Sequence, residues 1–113
     1  MDRMDPINVD AQAQLLLDKA RSSSAGRASH MVVGGPRTEM TQTLIALAYL
    51  SRLDDHDNPG EATILVLEGE VEVGTDDESC AVRKGEMLEI PDARHHLIAT
   101  TDSVVLLTAV KLG

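Results

Sequence analysis

The feature that most constrains this chain is a series of short apolar runs between residues 41 and 110, each ended by Gly, Pro or acidic residues. Residues 41–53, 62–67, 70–73, 79–82, 87–90, 96–99 and 103–110 are rich in Val, Ile, Leu and Thr. Most of them are too short for core helices. Gly69, the stretch 74–78, Arg83-Lys84-Gly85, residues 91–94 and Thr101-Asp102 supply the breaks. Within the series, Glu70-Val71-Glu72-Val73 alternates as a strand with one wet face does, whereas 62–67 is apolar on both faces. Seven or eight short strands with one helix predict an all-β fold, a small sandwich or barrel.

At 113 residues the chain makes one domain with one core. It contains no Phe or Trp and a single Tyr, so Leu, Val, Ile, Ala and Met must fill that core, and stacking on nucleic-acid bases is nearly excluded. The formal charge is −9, and the excess lies wholly in residues 41–113, with fourteen acids against five bases. Such a surface repels phosphates, so neither nucleic acid nor an anionic membrane is expected as a partner. The densest acidic group, Glu68, Glu70, Glu72, Asp76, Asp77 and Glu78, reads as a solvated strand edge that resists aggregation. The single cysteine, Cys80, permits no internal disulfide and reads as a small core residue. No apolar run has signal-peptide or membrane-spanning length, and the expectation is a cytoplasmic protein.

Ahead of the strand series, residues 1–9 read as a tail. Asp10 is placed to cap a helix from Ala11 to about Arg21, whose Leu15, Leu16 and Leu17 need cover and whose Lys19 and Arg21 suit its C-terminal end. Residues 28–33 read as a first strand, with His30 as an ordinary strand residue. The division is 1–40 for tail, helix and first strand, and 41–113 for the barrel. Residues 41–53 read as one long strand with Ile45, Leu47, Tyr49 and Leu53 on one face and Leu44, Ala46, Ala48 and Leu50 on the other. Two apolar faces require either sheet packing on one side with the helix on the other, or a dimer interface.

Two histidines and several glycines fall at informative intervals. His56, Asn58, Ala62 and Gly69 are spaced as in one signature of the cupin superfamily (His-x-His, a Glu, then a Gly), and Gly85, Pro91 and His96 as in the other. Over residues 41–110 the chain therefore resembles the cupins. The resemblance implies a double-stranded β-helix, the RmlC-like jelly-roll barrel, here with a short N-terminal helix. Typical cupins hold a divalent transition metal with three histidines and one glutamate. In this chain only His56 and His96 stand at ligand positions. Asn58 offers a neutral amide oxygen and Ala62 offers nothing, and Glu61 would need a bulge to turn inward.

The resemblance thus implies a non-enzymatic protein that binds or senses a small molecule in a pocket lined by His56, Asn58, Ala62, Ile64, Val66, Met87, His96 and Ile98. It would carry no metal, or a weakly bound Zn, Fe, Mn or Ni ion at His56, His96 and Asn58. The alternative is a metal-dependent cupin enzyme, of dioxygenase or isomerase type, working through His56 and His96. A further reading is an interaction module that acts as a dimer, and a homodimer is expected in either case.

Overall fold

The computed structural model describes residues 4–56 and 60–111, with the backbone alone at positions 55 and 56. The described residues form α1 (Val9–Ser22) and nine strands: β1 (Arg27–Val33), β2 (Met40–Leu47), β3 (Arg52–His56), β4 (Gly60–Glu68), β5 (Glu70–Gly74), β6 (Ser79–Arg83), β7 (Met87–Glu89), β8 (His95–Ala99) and β9 (Ser103–Lys111). They make two antiparallel sheets, a five-stranded one in the order β1-β2-β9-β4-β7 and a four-stranded one in the order β3-β8-β5-β6.

Between the sheets lies a core of Leu47, Ile64, Val66, Val71, Val73, Val82, Ile90, Leu97, Ala99 and Val105, with Ile45, Leu53, Ala62, Leu88 and Leu107 packed against it. The opposite face of the five-stranded sheet is covered by α1. Ala13, Leu16, Leu17 and Ala20, spaced i, i+3, i+4, i+7, meet Leu44, Ala46 and Val104. The two apolar faces read from the sequence are therefore both occupied within one chain. Burying Leu16 and Leu17 contributes about 1.5–3 kcal/mol each, which holds a helix too short to persist alone.

Four local expectations are corrected. The helix begins earlier, at Val9, because Asn8 rather than Asp10 caps it: Asn8 Oδ1 accepts from the Ala11 N–H at 3.0 Å. Leu15 needs no cover and stays exposed. The long apolar run breaks into two strands at residues 48–51, where Leu50 takes φ 69° and Tyr49 and Leu50 turn to solvent. This turn lets the chain leave one sheet for the other. The predicted faces hold for Leu44 to Leu47 and again for Leu53, which packs with Ile45 and Leu47, and fail within the turn, at Tyr49 and Leu50. Cys80 is exposed, its Sγ donating to the Ala81 carbonyl, because β6 lies at the end of its sheet.

One end of the barrel is closed by a polar knot. Asp102 accepts from the Tyr49 N–H with Oδ1 and from Arg21 Nε with Oδ2, both at 2.8 Å, joining the β8–β9 turn to the β2–β3 turn and to α1. Buried Ser103 donates to the carbonyl oxygens of Thr101 and Glu70, and the Glu70 N–H donates to Thr101 Oγ1 and Ser103 Oγ. Gly69, at φ 79°, must be glycine for two reasons: the left-handed backbone, and the space a Cβ would need, which the Asp102 carbonyl and the Ser103 and Thr101 hydroxyls already fill.

Candidate functional site

At the opposite ends of β3 and β8 the chain brings together the backbone positions of His56 and His95, with His96 next in sequence. The chain reaches β8 through a turn at residues 91–94, anchored by the Ile90 N–H donating to the Ala62 carbonyl at 2.9 Å. The His95 ring closes that turn, its Nδ1 lying 2.9 Å from the Ala93 carbonyl. That contact makes Nδ1 the N–H nitrogen and leaves Nε2 as the lone-pair nitrogen when the ring is neutral.

His95 is 6% exposed and alternates with Leu97 and Ala99, both members of the inter-sheet core, so it belongs to the inner row of β8. His96 and Ile98 are in the outer row. His96 stands opposite Gly74, and its imidazole occupies the place a Gly74 side chain would need: a Cβ there would come within 2.7 Å of His96 Cε1 and Nε2. Ile98 stands between Arg52 and Glu72 on the same outer face.

The described residues expected to line one pocket fall on two faces. Ala62, Ile64 and Val66 do share the inner face of β4. Met87 does not join them. It pairs with Leu65, whose other cross-strand neighbour Leu106 packs toward α1, and is 62% exposed. His96, Ile98 and Met87 are thus each one residue out of step, and the inward positions are His95, Leu97 and Leu88. A strand's period is two, so a one-residue error in register moves every side chain to the other face.

The missed signal lies further along β8. Leu97 and Ala99 are apolar, whereas the parity of His96 and Ile98 continues to Thr100, whose hydroxyl donates to the carbonyl and a carboxylate oxygen of Glu70.

His56 pairs with His95 across the β3–β8 ladder, after a register shift between Leu53 and His56. Asn58 lies outside the described residues. Glu61 is exposed and pairs with Val110, and the register from Gly60 to Val66 runs without a bulge, so Glu61 stays on the outer face of β4. Among the described residues no group of three or more His, Cys, Asp or Glu side chains is arranged to hold a metal ion. The donor set does not fit the four-ligand cupin metal: Ala62, at the glutamate position, is on the inner face without a donor atom. Among the described residues no helix is long and apolar enough to cross a membrane.

Two antiparallel sheets enclosing an apolar core, with an inward histidine near one mouth, define a double-stranded β-helix barrel. The family model for the cupin domain, Cupin_2, matches residues 51–111, and the chain belongs to that family. A cupin superfamily protein from Desulfitobacterium hafniense DCB-2 has a TM-score of 0.77 at 15% identity, over 99% of this chain and 95% of that one. A conserved protein of unknown function from Streptococcus pyogenes gives 0.71 at 19% identity, over 100% and 92%. A cupin 2 conserved barrel domain protein from Leptotrichia buccalis gives 0.67 at 27% identity, over 79% of this chain and 43% of that one. A search of curated proteins yields no match.

Proposed function

We propose that this cupin is a non-enzymatic small-molecule-binding or sensing protein whose metal site is degenerate. The observation that supports it is the placement of Ala62. It occupies the inner face, in step with Ile64 and Val66, where a metal-binding cupin carries its glutamate, and the unbroken register keeps Glu61 outside. Without that carboxylate a divalent ion loses one ligand and its main charge neutralisation. Among the described residues the inner row beside His95 is apolar, with Leu97, Ala62 and Ile64, which suits an organic ligand better than a divalent ion. His56, paired with His95 in the ladder, is the second residue assigned to the mouth, and any ion held there is weakly bound.

Native mass spectrometry with elemental analysis, on protein purified without chelator, tests this. The expected result is metal well below one equivalent. Stoichiometric iron, manganese, nickel or zinc that disappears in the variant His95→Ala overturns the proposal and favours the metal-dependent enzyme. A second copy of the chain is the proposed protein partner, supported by the position of β1 at the end of its sheet with Met31 and Met40 exposed nearby. Sedimentation as a monomer at micromolar concentration overturns that part.

A further inference from the structure

The five-stranded sheet is one strand wider than the sheet it faces, and β1 is its outermost strand on one side. Arg27 and Ser29 stand opposite Leu47 and Ile45, in the row that faces the other sheet, yet both are exposed. The overhang leaves an open cleft of ≈ 410 Å³ lined by Arg27, Ala28, Ser29, Ile45 and Leu53. Its floor is apolar, since Ile45 and Leu53 are half-buried against the inter-sheet core. One end is fixed by the Ala48 N–H donating to the Gly26 carbonyl at 2.8 Å.

Arg27 is held rather than loose. Its Nη1 donates to the Arg52 carbonyl at 3.1 Å, across to the strand that bounds the cleft. Among the described residues no carboxylate pairs with Arg27, and Asp54, an acid on the same strand as Leu53, is bridged to Arg52 at 3.1 Å. A guanidinium has five N–H donors in a planar fork, so one clip to a carbonyl leaves donors enough to grip a carboxylate with two parallel bonds.

We propose that this cleft binds a small organic acid, its carboxylate on Arg27 and Ser29 and its apolar body on Ile45 and Leu53. The volume lies within the range of small-molecule sites, roughly 300–1,000 Å³. The chain's net charge of −9 does not forbid an anion, because exposed charges more than about 8–10 Å away are screened at physiological ionic strength while the guanidinium acts at contact. This site goes beyond the barrel interior and uses neither His95 nor Ala62.

The probes are hexanoate and its uncharged counterpart hexanol, titrated into the full chain and followed by amide NMR shifts. Hexanoate is expected to move the amides of Ser29, Ile45 and Leu53, and to bind about tenfold more tightly than hexanol. In Arg27→Gln that preference is expected to vanish, and in Arg27→Lys to persist in part. In Ser29→Tyr, which fills the cleft from an exposed position, both probes are expected to be lost. Equal binding of hexanoate by wild type and Arg27→Gln overturns the proposal. So do shifts confined to interior residues such as Val66 and Val105, no shift at millimolar hexanoate, or cleft shifts that follow protein concentration alone and so mark a second copy as the occupant. Because these readouts are cleft amides, a failure here is separable from a failure of the metal analysis.

Discussion

The two ends of this barrel are built differently. At one, the turns at residues 48–51 and 100–102 and the start of β5 are tied together by Asp102, Ser103, Thr101 and Gly69, with α1 held through Arg21. At the other, β3 shifts register before His56, and the inner row ends in His95, with Leu97, Ala62 and Ile64 behind it. The first end spends its polar groups on one another. The second sets an imidazole, bonded to the Ala93 carbonyl, at the end of an apolar inner row. The contrast teaches a division of labour: the polar groups that register the strands are gathered at one end, so the residues of the other mouth can differ without cost to the shape.

The sharpest way to break that division is at Gly69. The variant Gly69→Val forces a β-branched residue into the left-handed region and drives its Cβ into the Asp102 carbonyl, a combined cost of about 3 kcal/mol or more. A large fall in the urea midpoint is expected, and a shift near zero would show that the knot does not hold the fold.

Next comes Asp102→Ala, expected to cost about 1 kcal/mol because the Arg21 pair is half-exposed and the Tyr49 N–H can turn to water. Acid probes the same group. The hydrogen bond from Arg21, and then that from the Tyr49 N–H, hold the Asp102 carboxyl below its ordinary value. A carboxyl depressed in the folded state binds its proton more readily when unfolded, so its stabilisation is present above about pH 4 and is lost as the pH falls through the folded value. Wild type is therefore expected to lose stability on acidification by more than Asp102→Ala does, as followed by thermal melts across that range.

The histidine mouth should tolerate substitution better than the knot. Replacing His95 by Leu keeps an apolar inner row and frees the carbonyl of exposed Ala93 to water, so stability should change by less than about 1 kcal/mol. Any perturbation of the mouth amides that zinc causes in the wild type is expected to be lost in this variant, as followed by amide NMR. The smallest effect is expected from His96→Ala, within about 0.5 kcal/mol and with zinc response retained. A zinc response that follows His96 instead would reverse the assignment of faces.

Much of this molecule was legible in the residues. Gly69, the 74–78 loop, Gly85 and Pro91 punctuate the strands because turn geometry is a local matter, and six of the seven expected runs in 41–110 coincide with observed strands to within two residues at either end. The seventh, 41–53, was read as one strand because its apolar content hides a turn that has no Gly or Pro, only Leu50 in a left-handed conformation. Cys80 reads as a core residue because it is in a strand with no basic neighbour until Arg83, but exposure depends on whether that strand lies at the end of its sheet, which is a property of topology.

For the site, the sequence alone fixed which residue types crowd the mouth: adjacent histidines at 95 and 96, another at 56, and alanine where a ligating carboxylate would be. Only the tertiary structure decided which of two neighbouring histidines faces inward, because strand parity is set by pairing with β5 and β3 and by the turn that delivers His95, not by a residue's count from Pro91. The cleft at Arg27 lies wholly on that side of the line, since an overhang exists only once two sheets of unequal width are laid face to face.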